Sequence, residues 1–430
     1  MRTLAWRPRA GGGRPAIFPG WSMTWALSVT TMVAYGVLFY IFSVAMTPMQ
    51  DELGWSAATL TGAYSVALLV SGIVAPWVGR WIDRHGGRWV MTAGAIVGSV
   101  CVLAWSQVEN VWLYYLIWIG MGLAMATTFY EPAFAALTAW FDRYRARSLL
   151  IVTIVGGFAS TVFLPLGGWL DVQIGWRGML AVMAAIMAVT TIPLSALFIH
   201  DRPERCGAWV DNLRPDPDAG PLSQPARGHR PHPEIGFGIL RERSFRWLTC
   251  SFFLETFSTI AAGVFLIPYL TWRGESPEFA AAATGLIGAA QVLSRILATV
   301  IGERISATTL TMAIFGLQGA AILLLMGWQT HIGVILAVAI LGMGRGAVTL
   351  MRAQLVVDYF GREGFGAISG TMSFFLTGAR SLAPIVVGSL FTLSGSYDPV
   401  LWTTMTISLL AAVALFQLER RPAPTAAEAR

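Results

Sequence analysis

The chain has 430 residues, of which 55% are hydrophobic and only 12% are charged. Soluble globular domains carry roughly 25% charged residues, so this composition excludes an ordinary water-soluble protein and favours a chain whose solvent is lipid. The 29 basic residues are all arginine, and the net charge of +6 suggests a nucleic-acid partner only until their positions are mapped onto the predicted helices.

Twelve stretches are long and apolar enough to cross a bilayer, which takes about 20 residues. The first follows a basic tail and is too long for the apolar part of a signal peptide, so we expect a retained membrane helix. The predicted spans are 22–48, 57–79, 88–106, 111–138, 148–170, 177–199, 246–271, 279–300, 307–327, 331–355, 365–388 and 397–417.

The polar stretches divide the predicted spans into two sets of six. Residues 201–245 are rich in Pro and Arg and form a predicted linker, while 1–21 and 418–430 form terminal tails. The sequence therefore predicts an all-α membrane protein with two six-helix bundles, at 22–200 and 246–417.

The arginines predict the orientation of the chain, because basic residues are retained on the cytoplasmic side of a membrane. They cluster in the N-terminal tail, the linker and the loops after the second and fourth spans, whereas only Arg177 and Arg273 fall on the opposite side. We expect both termini in the cytoplasm and the protein in a bacterial inner membrane, with no nucleic-acid partner.

The two predicted bundles resemble each other in sequence. The triplet Gly-Met-Gly at 120–122 in the fourth span recurs at 342–344 in the tenth, and each is followed by an aromatic pair at the cytoplasmic end. In this register Tyr130 aligns with Arg352, which predicts polar groups at matching depth. Repeated six-helix halves are typical of transporters that rock about a substrate held near the midplane.

The loop after the second span reads GRWIDRHGGR. Gly79 permits close helix approach and Gly86 a tight turn, while Asp83 can accept hydrogen bonds from the start of a neighbouring helix. Arg84 and Arg88 can pair with acceptors of the other half. The pattern resembles the Gly-x-x-x-Asp-Arg/Lys-x-Gly-x-Arg/Lys signature of the major facilitator superfamily. The resemblance implies that family's twelve-helix fold and a gating loop that stabilises the outward-facing state.

Other segments resemble a narrower group within that family. Residues 51–76 and 140–160 are similar to the corresponding segments of bacterial monocarboxylate-type and oxalate/formate-type members. Arg295, in the eighth span, lies where monocarboxylate carriers keep a substrate-binding arginine. Gln291 stands where those carriers often have a titratable Asp, so this resemblance implies an anion site without the usual proton site beside it.

Ionisable and aromatic residues inside the predicted spans are the other site candidates, because a charge at membrane depth is costly and usually marks a pathway. Arg352 lies nearer the cytoplasmic end and is either an anchor or a substrate contact. Glu131 and Glu255 either carry a proton or neutralise an arginine. The predicted substrate-binding residues are Arg295, Arg345, Arg380, Tyr35, Tyr40, Tyr130 and Gln291.

A partly desolvated guanidinium binds a carboxylate through two parallel hydrogen bonds. We therefore expect a secondary transporter of a small organic anion, a mono- or dicarboxylate, driven by proton symport or anion exchange. A proton-coupled exporter of drugs or metabolites is the alternative, although the fifth span reads FLPLGG rather than the Gly-Pro-x-x-Gly-Gly of drug antiporters. A sensor that kept the fold without transport is a third.

The sequence contains no constellation typical of an enzyme. Its three cysteines, at 101, 206 and 250, lie far apart without metal or redox spacing, and no nucleophile or phosphate-binding loop is present. We expect a monomer in the lipid bilayer that needs no cofactor or metal, with a carboxylate and possible protons as its small partners.

Overall fold

The computed structural model describes residues 18–203, 209–212, 237–302, 304–328 and 330–419. The described residues are predominantly helical, and none of them forms a strand. Most of the predicted tails and linker, at 1–17, 204–208, 213–236 and 420–430, lies outside the described residues.

The first half of the chain contains six spanning helices. The segment Arg145–Phe198 has 54 residues, a helical length of about 80 Å against a hydrocarbon core of about 30 Å. It turns at Gly175, whose φ of +70° lies outside the helical region, so it forms two spans, α5 before this glycine and α6 after it. The preceding helices are α1 (Pro19–Leu53), α2 (Ala57–His85), α3 (Arg88–Trp105) and α4 (Val111–Trp140).

The second half contains six further spanning helices, so the predicted all-α fold with twelve spans is confirmed. Short 3₁₀ helices at Val210–Asn212 and Phe237–Arg241 precede them. The spanning helices are α7 (Arg243–Trp272), α8 (Pro277–Gly302), α9 (Ala307–Gly327), α10 (His331–Phe360), α11 (Phe365–Ser394) and α12 (Asp398–Glu419).

The chain separates into two compact units, each with its own hydrophobic core. The first comprises the described residues up to 212 together with Phe360–Thr371, and the second comprises those from 237 to 359 and from 372 onward. The first core includes the fully buried rings of Trp105 and Trp118. The start of α11 therefore belongs to the first unit and the remainder of α11 to the second.

Equivalent local structures recur in the two units at a fixed spacing. Gly54 and Gly274 both end a helix with a positive φ, and they are 220 residues apart (274 − 54). Ser56 and Ser276 have the same spacing, and each accepts a hydrogen bond from the backbone N–H three residues later. Such caps satisfy donors at a helix start, so both units begin their second helix in the same way.

Helix packing gives the same spacing and corrects the register predicted from sequence. A Cβ on Gly122 would lie 2.5 Å from the carbonyl oxygen of Ala67, and a Cβ on Gly342 would lie 2.8 Å from the Cα of Ile287. Both members of each contact are shifted by 220 residues, not by the 222 that the Gly-Met-Gly triplets suggested. The predicted pairing of Tyr130 with Arg352 is therefore wrong, because the counterpart of Tyr130 is Leu350.

Candidate functional site

Helix α1 changes geometry in its middle. Its backbone is α-helical over Pro19–Ala34, π-helical over Tyr35–Tyr40 and α-helical again over Ile41–Leu53. The π-helical turn inserts a residue into the repeat, and such turns are frequent at functional sites. Gly36 allows α5 to approach here, because a Cβ at this position would lie 2.2 Å from Cδ2 of Phe163.

Helix α4 is broken at Phe129, whose backbone is extended with a ψ of −164°. An α-helix ends at Thr128 and a second begins at Tyr130. Pro132 contributes to the break because it has no backbone N–H to donate. Helix α5 is interrupted nearby, at Phe158, so three helices of the first unit depart from continuous α-helical geometry.

Aromatic rings from these interrupted segments contact one another. The Tyr35 ring stacks on Phe129, with centroids 3.9 Å apart and planes at 13°, and its centroid lies 4.8 Å from that of Tyr130. A Cβ on Gly156 of α5 would lie 2.6 Å from the Tyr130 hydroxyl oxygen. The rings that form this aromatic cluster are Tyr35, Phe39, Tyr40, Tyr64, Phe129, Tyr130 and Phe134.

The cluster brings together the three tyrosines predicted from sequence. Tyr35 and Tyr130 are direct neighbours, while Tyr40 connects through Phe39, whose ring centroid lies 5.1 Å away. Sequence reasoning missed the four other rings. Only Phe129 carried a local signal, its position just before the Tyr-Glu-Pro segment that loosens α4.

Glu131 lies in the first turn of the helix that restarts at Tyr130 and is half-buried. The N-terminal end of a helix carries a partial positive charge that stabilises a nearby carboxylate. The break in α4 therefore gives Glu131 a local source of stabilisation inside the membrane-spanning region.

Asp83 caps the start of α11 within the first unit. Its Oδ1 accepts a hydrogen bond from the Gly366 N–H at 2.9 Å, and its Oδ2 accepts one from the Ala367 N–H at 2.7 Å. These donors belong to the first turn of α11, where no intrahelical acceptor is available. The Asp83 backbone carbonyl also accepts a hydrogen bond from the Arg202 guanidinium.

The glycines of the same stretch serve distinct geometric roles. A Cβ on Gly79 would lie 1.8 Å from the Gly366 carbonyl oxygen, so only glycine permits this contact between α2 and α11. Gly86 ends α2 with a φ of +88°, which favours glycine. Arg84 is exposed in the last turn of α2, and the Arg88 guanidinium lies 5.5 Å from the centre of the Trp89 ring.

Glu255 in the second unit is fully buried and hydrogen-bonded. Its carboxylate accepts hydrogen bonds from Thr259 Oγ1 at 3.0 Å, from Ser408 Oγ at 3.2 Å and from Gln318 Nε2. These uncharged donors come from α7, α12 and α9. Arg295 is not among these donors.

Arg295 is buried in α8, with 6% of its surface exposed. Helices α8 and α10 approach closely beside it, because a Cβ on Gly346 would lie 2.3 Å from both Ser294 Oγ and the Gln291 carbonyl oxygen. Arg345 precedes Gly346 in the chain. The contact between these two helices therefore places two predicted substrate-binding arginines on adjacent segments, with Gln291 in the contact itself.

The remaining arginines of the second unit lie on α10 and α11. The Arg345 guanidinium approaches α7, with Nη1 3.6 Å from the position of a Cβ on Gly263. Arg352 is half-buried in α10, and Arg380 is exposed in α11. The structure thus brings the Arg345 guanidinium close to α7, while Gly346 beside it contacts α8.

The two arginines that broke the charge pattern have structural roles. Arg177 Nε donates a hydrogen bond to Glu52 Oε1 at 2.9 Å. Its Nη1 donates another, also at 2.9 Å, to the carbonyl oxygen of Ser106, the residue that follows α3. Arg273 donates to the Leu325 carbonyl at 3.2 Å, in the last turn of α9. Carbonyls at helix C-termini lack intrahelical partners, so each arginine caps the third helix of its unit.

Among the described residues, no group of three or more His, Cys, Asp or Glu side chains could hold a metal ion.

Comparison with protein families gives a match to the Major Facilitator Superfamily over residues 27–384. The described helices of both units thus fall largely inside the matched region.

Named relatives are distant in sequence. Bovine monocarboxylate transporter 13 is 26% identical over 74% of this chain and 67% of its own length. The probable galactarate/D-glucarate transporter GarP of Escherichia coli K12 is 23% identical over 86% of this chain and 88% of its own. An uncharacterized transporter of Bacillus subtilis, YcxA, is 26% identical over 36% of this chain, which spans only 38% of that protein.

Among solved structures, the transporter FucP in its outward conformation superposes with a TM-score of 0.70. The alignment covers 95% of this chain and 99% of FucP at 14% identity. This likeness concerns the fold alone.

Proposed function

This chain belongs to the Major Facilitator Superfamily and is a transport protein rather than an enzyme, and we propose that it carries a small organic anion, a mono- or dicarboxylate, by alternating access. The proposal places it in a bacterial inner membrane as a monomer, with both termini in the cytoplasm. Proton symport or anion exchange drives it. Relatives named as a monocarboxylate transporter and as a probable galactarate/D-glucarate transporter support a carboxylate.

One observation carries the proposal: Arg295 is buried in a membrane-spanning helix, beside the contact that also presents Arg345. A guanidinium at this depth costs several kcal/mol and usually marks a pathway. The buried carboxylate of the same unit, Glu255, is hydrogen-bonded to uncharged side chains. A substrate carboxylate offers two oxygens in the geometry that a guanidinium fork binds.

The coupling and gating roles are part of the same proposal. Glu131 is the first candidate for the proton carrier, because it is half-buried at a helix break and follows Tyr130 of the aromatic cluster. Glu255 is the second candidate. The Gly79–Arg88 stretch acts as the gate, and the hydrogen bonds of Asp83 to the start of α11 are the contacts that it makes and breaks.

The test is transport by the purified protein in proteoliposomes. Vesicles loaded with unlabelled acid should take up labelled acid by counterflow, and an imposed pH gradient should drive accumulation if protons are coupled. Neutral analogues and cationic drugs form the control panel. Counterflow of drugs without counterflow of any acid would favour the exporter alternative, and binding without counterflow would favour a sensor.

A further inference from the structure

We propose that the aromatic cluster of the first unit binds a planar, ring-bearing part of the substrate, so that the transported anion is an aromatic carboxylate rather than a polyhydroxylated one. This inference rests on the proposed function, because it takes the substrate to be an organic anion. It adds the chemical nature of the rest of the molecule.

The cluster lies inside the six-helix unit and keeps part of its surface open. Its rings come from α1, α2 and α4, and Gly156 of α5 lies against Tyr130. Tyr35, Phe39 and Tyr40 are half-buried, as are Tyr64 and Tyr130. The two other rings, Phe129 and Phe134, are buried, and Phe129 belongs to the same core as Trp105 and Trp118. Five of the seven rings thus keep part of their surface accessible at the edge of this core.

The backbone around the cluster is irregular in three helices. Non-helical backbone at membrane depth is tolerated where it is buried in protein or lines a cavity, and transporter sites are typically built from discontinuous helices. The π-helical turn of α1 supplies Tyr35 and Phe39, and the break in α4 supplies Phe129 and Tyr130. The irregularities therefore occur in the segments that carry the rings.

The duplication shows that the fold itself requires neither the rings nor the breaks. At positions 220 residues later, α7 and α10 are continuous α-helices. Helix α11, the counterpart of α5, is also continuous. The residues that lie 220 positions after the seven rings are Glu255, Thr259, Ile260, Thr284, Thr349, Leu350 and Gln354, and none of them is aromatic. A packing requirement shared by both units would have produced rings in both.

The geometry of the rings favours a flat ligand. Tyr35 and Phe129 are nearly parallel, at 13°, and Tyr130 and Phe134 are at 29°. Rings of this kind attract another ring in offset or edge-on contact at about 4.5–7 Å between centroids. An open-chain polyhydroxylated acid has no ring face to place against such a pair of rings.

A cationic group is the rival ligand for such rings, because a cation is attracted to the face of an aromatic ring. A single ring face is enough to attract a cation and does not call for a parallel stack, so the nearly parallel rings favour a flat ligand.

The experiment measures binding to the purified full-length protein by calorimetry and thermal stabilisation. The ligands are benzoate, cyclohexanecarboxylate, acetate, D-glucarate, benzyl alcohol and trimethylglycine. We expect benzoate to bind tightest. The variant Tyr35→Leu should weaken benzoate binding roughly three- to tenfold, the size of one aromatic contact, while Tyr35→Phe retains it. Phe129→Leu provides a second variant should Tyr35→Leu unfold.

The matched control is Tyr397→Leu, which removes a ring stacked on Phe391 at 4.4 Å in the second unit and should leave benzoate binding unchanged. Three binding results would overturn the inference: acetate or D-glucarate binds as tightly as benzoate, only trimethylglycine binds, or no ligand binds. Unchanged benzoate affinity in both Tyr35→Leu and Phe129→Leu would overturn it as well. Equal binding of benzyl alcohol and benzoate would instead refute the organic-anion proposal and leave the ring site standing.

Discussion

The hydrogen bonds between Asp83 and the first turn of α11 predict the effect of Asp83→Asn. The carboxylate accepts from two backbone N–H groups, at 2.9 Å and 2.7 Å. An asparagine can accept one of these hydrogen bonds, but its amide nitrogen would face the other donor. We expect a folded, membrane-inserted protein, because α2 and α11 retain their own backbone hydrogen bonds, but a slower transport cycle.

The size of the effect follows from the bonds that are lost. A hydrogen bond to a charged group contributes about 1.5–3 kcal/mol, and a carboxylate at a helix N-terminus contributes about 0.3–1 kcal/mol more. Asp83 is half-buried, and because an asparagine retains one of the two hydrogen bonds, the lower end applies. A net loss of about 2 kcal/mol would shift the balance between conformations roughly 30-fold away from the state that contains this contact.

Cysteine accessibility from each side of the membrane measures that balance, in a variant without native cysteines, and uptake into proteoliposomes measures the cycle. Asp142→Asn is the matched control, because Asp142 is also acidic and near a helix start but its carboxylate is 44% exposed and forms only an i,i+3 pair with Arg145 at 3.6 Å. Unchanged accessibility together with normal uptake in Asp83→Asn would reduce the stretch to an ordinary cytoplasmic loop.

Three further predictions test the site. Gly79→Ala should slow transport, because the added Cβ would lie 1.8 Å from the Gly366 carbonyl oxygen. Gly168→Ala is the control and should transport normally, because no atom lies within 4 Å of the added Cβ. Equal uptake by both variants would contradict the contact between Gly79 and Gly366. Arg295→Lys should weaken ligand-induced thermal stabilisation by organic acids and Arg295→Ala should abolish it, since Lys lacks the guanidinium fork; a response of the Ala variant equal to the parent's would refute the anion site. Glu131→Gln should abolish proton-driven accumulation and spare exchange, so a variant that still concentrates substrate against a gradient would place the coupling elsewhere.

The spanning helices were predictable because lipid imposes a simple rule. Every backbone polar group in the bilayer must be satisfied internally, so apolar runs of sufficient length become helices. The capping role of Asp83 was also predictable in kind, since a carboxylate beside two glycines suits a helix start. Its partners, Gly366 and Ala367, lie 283 and 284 residues away. No local sequence pattern predicts such a long-range contact.

The irregular backbone of the first unit was not predictable from the sequence. Residues 35–40 and the stretch around Phe129 are as apolar as their surroundings, and only Pro132 hinted at a break. Within the π-helical turn, Gly36 meets Phe163, a contact between distant parts of the chain. The buried hydrogen bonds of Glu255 are likewise tertiary, because two of the three donors come from other helices.

The mistaken register of the repeat has a physical explanation. The Gly-Met-Gly triplets match in letters, but Gly120 lies against Cys101 of α3, whereas its supposed partner Gly342 lies against Ile287 of α8. The matching contact belongs to Gly122, which faces α2. A glycine at a helix contact allows one particular neighbouring helix to approach closely. Equivalent contacts therefore define the register of the repeat, and matching sequence triplets do not.

With the corrected register, structural features that both units share can be distinguished from features that only one unit has. Features present in both units, such as the left-handed glycines after the first helix and the serine caps that follow, serve a structure that each unit must build. Features of one unit alone have no such explanation. In the middle of its first helix, one unit has Tyr35 in a ring stack, and the other has Glu255 bonded to three hydroxyl or amide groups. Arg295 and Arg345 have Ala75 and Met125 as counterparts. We attribute these differences to the transported molecule, which we propose to be an organic anion that carries a flat, uncharged ring.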